Sequence, residues 1–108
     1  MNYLKIKKNN DFQRLFKRGK KVFSPYLTLL YYPSDRLCMG LAVSKKHGKA
    51  HTRNRIKRLC REAFRLNCGE LEKSYCIIII PKVAESYDFD SVSKGIKICI
   101  KKINRCEK

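Results

Sequence analysis

The sequence predicts an α+β fold, an α/β sandwich in which helices pack on a small mixed sheet, in the order α-β-β-α-β-α. Three observations predict it. Ile56, Leu59, Cys60, Ala63 and Phe64 recur at i, i+3, i+4, i+7 and i+8, the apolar stripe of an amphipathic helix. Residues 22–32 and 36–43 alternate along their length, the period of strands with one buried face. Tyr75 to Ile80 is a short apolar run without alternation, the pattern of a strand buried on both sides. At 108 residues the chain is one domain, 1–108, with room for a modest core.

The elements follow in order. Asn9 or Asn10 caps a first helix that runs to about Arg18, where Gly19 stops it. Phe12, Leu15 and Phe16 form its apolar side. Val22 to Tyr32 reads as one long strand. Tyr32-Pro33-Ser34-Asp35 is turn chemistry, and Arg36 to Val43 is the strand that pairs back as a hairpin. Phe23, Leu27, Leu29 and Tyr31 then share a core side with Leu37, Met39, Leu41 and Val43. Ser24, Tyr26, Thr28, Leu30 and Tyr32 take the other side, beside the small residues Cys38, Gly40, Ala42 and Ser44. Small residues leave room there for a shallow groove or for a closely packed helix.

A loop from Lys45, containing Gly48, delivers the central helix, with Thr52 as its cap and Asn67-Cys68-Gly69 as its end. Pro81 terminates the apolar strand, so strand, helix and strand make a β-α-β crossover. A last helix begins within Ser86 to Asp90 and carries the stripe Phe89, Val92, Ile96, Cys99, Ile100 and Ile103. Gly95 weakens it by about 1 kcal/mol relative to alanine.

Charge sets the functional reading. The chain has 26 Lys and Arg against 9 Asp and Glu, a net charge of +17. Self-repulsion on that scale favours a polyanionic partner, nucleic acid before an anionic membrane surface. The apolar content of 44% is that of a globular domain, not of a disordered basic tail. No apolar run is long enough to span a bilayer and MNYLKIKKNN has no signal-peptide core, so a cytoplasmic protein is expected. The six cysteines include no C-x-x-C pair, and neither histidine stands at a zinc-ligand interval from two of them. They read as reduced, mostly buried small hydrophobes.

Nine of the cations fall between Lys45 and Arg65 with one acid, Glu62, among them. Lys45 and Lys46 precede the central helix, and Arg53, Asn54, Lys57, Arg58, Arg61 and Arg65 project over the surface its apolar stripe leaves free. Arginine forks suit bidentate phosphate contact and stacking. Six phosphate contacts would give a log–log salt slope of about −4 to −5, at roughly 0.7 to 0.9 per contact. Asn54, between two arginines, donates and accepts, and so can read a sugar hydroxyl, a base edge or a metal-bound water. Glu62 follows Arg58 by one turn in the weaker orientation for a helical ion pair. A charge run is ordinarily a solvated face; this one lacks the alternation of signs that a solvated face shows. Phe12 and Phe16 admit two readings, core packing or stacking on an unpaired base.

No catalytic constellation is present. The nine acids are scattered, and there is no phosphate-binding glycine motif. His47 and His51 flank the basic loop, where exposed histidines read as passive phosphate contacts before they read as acid–base catalysts.

The run Arg53-Asn54-Arg55-Ile56-Lys57-Arg58-Leu59-Cys60-Arg61-Glu62-Ala63-Phe64 closely resembles the RNR motif of the bacterial ribonuclease P protein subunit. The likeness extends to Leu41-Ala42-Val43-Ser44-Lys45-Lys46, to Lys7-Lys8-Asn9-Asn10-Asp11-Phe12-Gln13 with Phe16, and more weakly through Tyr75 to Pro81 and the last helix. It implies a basic protein bound to a large catalytic RNA that, with magnesium, removes the 5′ leader from precursor tRNA. Arg53, Asn54, Arg55, Lys57, Arg58 and Arg61 would face that RNA, with Lys45 and Lys46 extending the patch. Phe12 and Phe16 match aromatics of a cleft for the single-stranded leader. The cleft's other aromatic aligns with Leu30, so Tyr26 or Tyr32 substitutes for it or leader stacking is weaker. The resemblance also implies a left-handed β-α-β crossover, against the general right-handed rule.

The expected function is therefore that of the ribonuclease P protein subunit, with no cofactor bound by the chain itself, magnesium used by the RNA-based holoenzyme, and neither DNA nor membrane as partner. The competing reading is a ribosomal or other structural RNA-binding protein of the same size and charge. A DNA-binding helix-turn-helix lacks its first helix ahead of Thr52. A free-standing nuclease lacks its catalytic groups.

Overall fold

Side-chain alternation and the apolar run at 75–80 are realised as one five-stranded mixed sheet, in the order β1-β4-β5-β3-β2. The computed structural model describes residues 3–5 and 9–107, with side chains described for Tyr3 and residues 13–107. The elements are β1 (Leu4–Lys5), α1 (Asn9–Arg18), β2 (Lys20–Phe23), β3 (Leu27–Pro33), β4 (Cys38–Leu41), α2 (Ala50–Asn67), β5 (Tyr75–Pro81) and α3 (Phe89–Cys106). Single 3₁₀ turns occupy Lys45–His47 and Cys68–Glu70. The α+β class and the three helices agree with the sequence pattern. The two-residue β1, which pairs parallel to β4, carries no such pattern and was not expected.

β5 holds the centre because both of its faces are apolar. It pairs antiparallel to β3 along its whole length and parallel to β4. The hairpin expected between β3 and β4 is therefore split, with β5 between its arms. Two strand spacings are about 9.6 Å, a gap that the four residues Ser34 to Leu37 can bridge at roughly 3.3 Å each. Ser34 N–H donates to Ser74 O at 3.2 Å as the link passes the start of β5. The strand–α2–strand crossover joins β4 to β5 as expected.

The expected long strand at 22–32 is two strands. Ser24 and Pro25 break it: Ser24 N–H donates to Leu27 O at 3.0 Å, and Ser24 Oγ accepts from Leu27 N–H at 3.0 Å. The break shifts the alternation. Val22 turns into the core and Phe23, expected there, is 55% exposed on the opposite face, across from Thr28.

The closed face carries the main core. Leu27, Leu29, Tyr31, Met39, Ile77 and Ile79 of the sheet meet Ile56, Cys60, Ala63 and Phe64 of α2 and Val92, Ile96, Cys99, Ile100 and Ile103 of α3. Gly95 fits this packing: a Cβ there would come within 3.1 Å of Leu27 Cγ and Ser24 Oγ. Asp88 caps α3 by accepting from Ser91 N–H at 3.1 Å, and hydrogen bonding by the Ser91 side chain first, and by its backbone second, lowers the Asp88 carboxyl. Asn67 ties the two helices, donating to Ala63 O at 2.7 Å and Ser93 Oγ at 3.1 Å. On the other face α1 lies across the sheet, with Leu15 buried against Leu30 and Ile78. Gly19 ends α1 by donating to Leu15 O at 2.8 Å; a Cβ at that position would stand 2.5 Å from the same oxygen.

Candidate nucleic-acid interface

α2 starts earlier than its sequence suggests. Lys49, not Thr52, is the N-cap, and Thr52 lies inside the first turn. No acid stands in that turn, so the positive end of the helix dipole adds to Lys45 and Lys46 on the preceding 3₁₀ turn, both exposed. The buried stripe of Ile56, Cys60, Ala63, Phe64 and Asn67 fixes which way the remaining residues point.

Arg53, Lys57 and Arg61 step along one side of the helix at i, i+4 and i+8, drifting about 40° per step. Asn54, Arg65 and Arg58 continue the same flank. Arg53 and Lys57 are half-buried where they leave the apolar stripe, while Asn54, Arg58, Arg61 and Arg65 are exposed. Arg53 Nε is out of water and has no acceptor among the described residues. Arg55, two positions from Arg53, turns well away from it but stands only about 60° beyond Arg58, at the outer rim of the cluster. It is exposed there.

Glu62 partners Arg65, not Arg58. The bond to Arg65 holds the Glu62 carboxyl below its usual range and raises the guanidinium, so Arg65 is the one cation of the flank that a described acid partly neutralises. Tyr3, just ahead of β1, packs edge-on against Phe64 with centroids 5.2 Å apart. Burial pushes its phenol up, opposed by the nearby Arg61 and Arg65. The edge of the sheet at β1 therefore runs beside the cationic flank.

His47 is not an exposed phosphate contact. It is 8% exposed, its Nδ1 accepts from Ser44 N–H at 3.1 Å, and its Nε2 lies 2.7 Å from Pro81 O. With Nδ1 accepting, Nε2 carries the proton and donates to the carbonyl. The ring pins the entry to α2 against the end of β5, which is a positioning role. His51 is exposed in the first turn of α2.

The residues expected to line an aromatic cleft are only partly brought together. The side chain of Phe12 lies outside the described residues. Phe16 is 49% exposed, while its neighbour Leu15 turns down onto the sheet. Tyr32, 40% exposed, shares the α1 side of the sheet. Leu30 is a correction: it is fully buried beneath Leu15, forming the floor under α1 and presenting nothing to stack on. Tyr26 is separated from Tyr32 by the length of β3, about 20 Å at roughly 3.3 Å per residue. It lines a different groove, with Pro25, Pro81, Val83 and Tyr87. Phe23 was missed as an exposed aromatic of the α1 side; the Ser24-Pro25 pair that exposes it was the available signal.

The cysteines are unbridged, with Cys60, Cys68 and Cys99 buried, Cys38 and Cys76 half-buried and Cys106 exposed. Among the described residues no three His, Cys, Asp or Glu converge as a metal-binding set. No described helix is long and apolar enough to cross a membrane.

Residues 1–104 match the family model for ribonuclease P. The ribonuclease P protein component of Clostridioides difficile is 41% identical over 101 residues, covering 90% of this chain and 89% of that protein. Its counterpart from Clostridium kluyveri is 40% identical over 108 residues, covering 94% and 96%. Among solved structures, the ribonuclease P protein of Staphylococcus aureus superposes with a TM-score of 0.82 at 30% identity, over 94% of this chain and 96% of that one. That of Thermotoga maritima gives 0.80 at 31% identity, over 96% and 98%. An arginine-flanked helix on this mixed sheet, matched end to end by these proteins, places the chain in the bacterial ribonuclease P protein component family.

Proposed function

We propose that this chain binds the catalytic RNA of ribonuclease P and the 5′ leader of precursor tRNA, and so supports endonucleolytic 5′ maturation of tRNA without itself cleaving the bond. The observation that carries this reading is the α2 flank. Arg53, Lys57, Arg61, Asn54 and Arg58 lie on one side of a helix whose other side is locked into the core, and Arg53 Nε awaits an acceptor. Phosphate oxygens supply such acceptors, and neutralised phosphates release counterions. Lys45, Lys46 and the N-terminus of α2 extend this surface, and Arg65 joins it at the cost of its bond to Glu62. Arg55, next to Arg58 on the outer rim, widens the surface on that side.

The leader belongs on the α1 side of the sheet, where Phe16 and Tyr32 offer exposed rings for unpaired bases. Magnesium belongs with the RNA in this reading. The chain's own work is electrostatic and positional: it offsets repulsion where leader phosphates approach RNA phosphates. The cytoplasm is the compartment in which such a complex would work.

The test is reconstitution. Adding the chain to its cognate RNA at low magnesium should restore leader removal, while rigorously RNA-free protein should cleave nothing. Cleavage by the protein alone, or co-purification with ribosomes in place of the catalytic RNA, would overturn the proposal in favour of a nuclease or a ribosomal protein.

A further inference from the structure

We propose that the outer flank of α1 is a second RNA-contacting surface, which holds the backbone of the single-stranded leader after it leaves the aromatic side of that helix. The inference rests on the function proposed above and extends it to residues outside the α2 interface. Leu15 fixes the orientation of α1. At about 100° per residue, Phe16 falls on one side of Leu15, Gln13 and Lys17 on the crest, and Arg14 and Arg18 on the far side. All five are exposed. Among the described residues none of the three cations has an ion pair. The helix dipole accounts for Lys17 and Arg18, which stand in the last turn. It does not account for Arg14, a turn earlier.

The sheet beside α1 repeats the pattern. Lys21 faces the α1 side, opposite Leu30, and Phe23 follows two residues later, opposite Thr28. This side of the molecule thus interleaves the exposed rings of Phe16, Phe23 and Tyr32 with Arg14, Lys17, Arg18 and Lys21. Rings for splayed bases and cations for phosphates are what an unpaired strand requires; a duplex keeps its base faces stacked and has no use for the rings. The surface is also separate from α2, which packs on the opposite face of a molecule whose smallest extent is 23 Å. RNA docked along the α2 flank leaves α1 uncovered. A strand passing over Phe16 meets Lys17 on the crest and then Arg14 and Arg18, a path about one helix diameter, 10–12 Å, in width.

The experiment uses the full chain assembled with its catalytic RNA and precursor tRNAs bearing leaders of about 2 and about 10 nucleotides, the longer spanning a typical single-strand site. The variant is Arg14→Gln/Lys17→Gln/Arg18→Gln. The control, Lys94→Gln/Lys97→Gln/Lys101→Gln on exposed positions of α3, removes the same charge elsewhere. The α1 variant should lose the affinity gained from the long leader, and its log–log salt slope on that substrate should fall by about 2, at roughly 0.7 per single-strand contact. Short-leader binding and assembly with the catalytic RNA should be unchanged, and the control should keep the long-leader gain. Should the triple variant fail to fold, Arg14→Gln alone should lower the slope by about 0.7. Equal losses in the variant and the control, or a loss on the short leader or in assembly, would overturn the site. A wild-type complex that assembles but is indifferent to leader length would instead overturn the leader-binding function itself, and this site with it.

Discussion

The two faces of the sheet are built from the same strands and do different work. Among the described residues, eighteen buried side chains join on the face covered by α2 and α3, and three on the face crossed by α1. Apolar burial stabilises at roughly 25 cal/mol per Å², so the fold is held from the α2–α3 side. The thinly covered side can leave rings and cations in water because the stability of the domain does not depend on hiding them. Adjacent residues show the division: Tyr31 is 2% exposed in the main core, and Tyr32, one step along β3, is 40% exposed on the other face.

The largest test of that contrast is truncation on each side. Phe64, fully buried on α2 and packed on Tyr3, should cost about 3–5 kcal/mol as Phe64→Ala. That is a large share of the stability of a domain of this size, typically about 5–15 kcal/mol. Leu15→Ala on α1 should cost about 2 kcal/mol, the low end for a buried leucine, because its cavity opens beneath one short helix that can settle into it. Urea denaturation of both variants measures the difference. Equal costs would mean that the thinly covered face is as much a part of the core as the other.

Cysteine reactivity gives a finer comparison. Burial pushes the Cys60 thiol up to about 12 and the Cys99 thiol to about 11, so neither offers thiolate near neutrality. Both lie in the main core. Cys38 and Cys76 are paired in register on β4 and β5, half-buried, and point to the α1 side. Timed alkylation read by mass spectrometry should label the exposed Cys106 first, Cys38 and Cys76 next, and Cys60 and Cys99 only on unfolding. Early labelling of Cys60 would show that the α2 side opens more readily than its packing implies.

What the sequence made legible follows from how local the signal is. The stripes at 56–64 and 89–103 placed α2 and α3, and the Gly19 stop placed the end of α1, because 3.6-residue periodicity is written within a few turns. The uninterrupted run at 75–80 gave a doubly buried strand. It did not say which strands it would separate, since the split hairpin of β3 and β4 is a matter of long-range pairing. The face of Phe23 was misread through one turn, Ser24-Pro25, whose chemistry was visible but sat inside a continuous apolar alternation. His47 looked like a loop residue by its neighbours; only the approach of Pro81 O, 34 residues away, makes it a buried positioning group. The basic flank of α2 was legible from its period, but spacing did not show that Glu62 takes Arg65 in place of Arg58.

The smallest predicted effect is a pH dependence that belongs to the core side alone. Tyr31 packs edge-on against Tyr75 at 5.3 Å, and its hydroxyl donates to Glu107 Oε2 at 3.4 Å. Burial first, and the Glu107 carboxylate second, push the phenol up from 10.0 to about 12. Between those values an unfolded chain has lost the proton and the folded chain keeps it, so unfolding releases a proton. The stability due to Tyr31 is thus fully present below pH 10 and declines as the pH rises to about 12. The buried thiols of Cys60 and Cys99 titrate in the same direction, so the informative quantity is the difference between wild type and Tyr31→Phe. The phenylalanine variant gives up the bond to Glu107, lowering stability at neutral pH, and should show a shallower decline above pH 10. Parallel declines in the two proteins would mean that the Tyr31 phenol titrates as if in water, and that the core beside α3 admits solvent there.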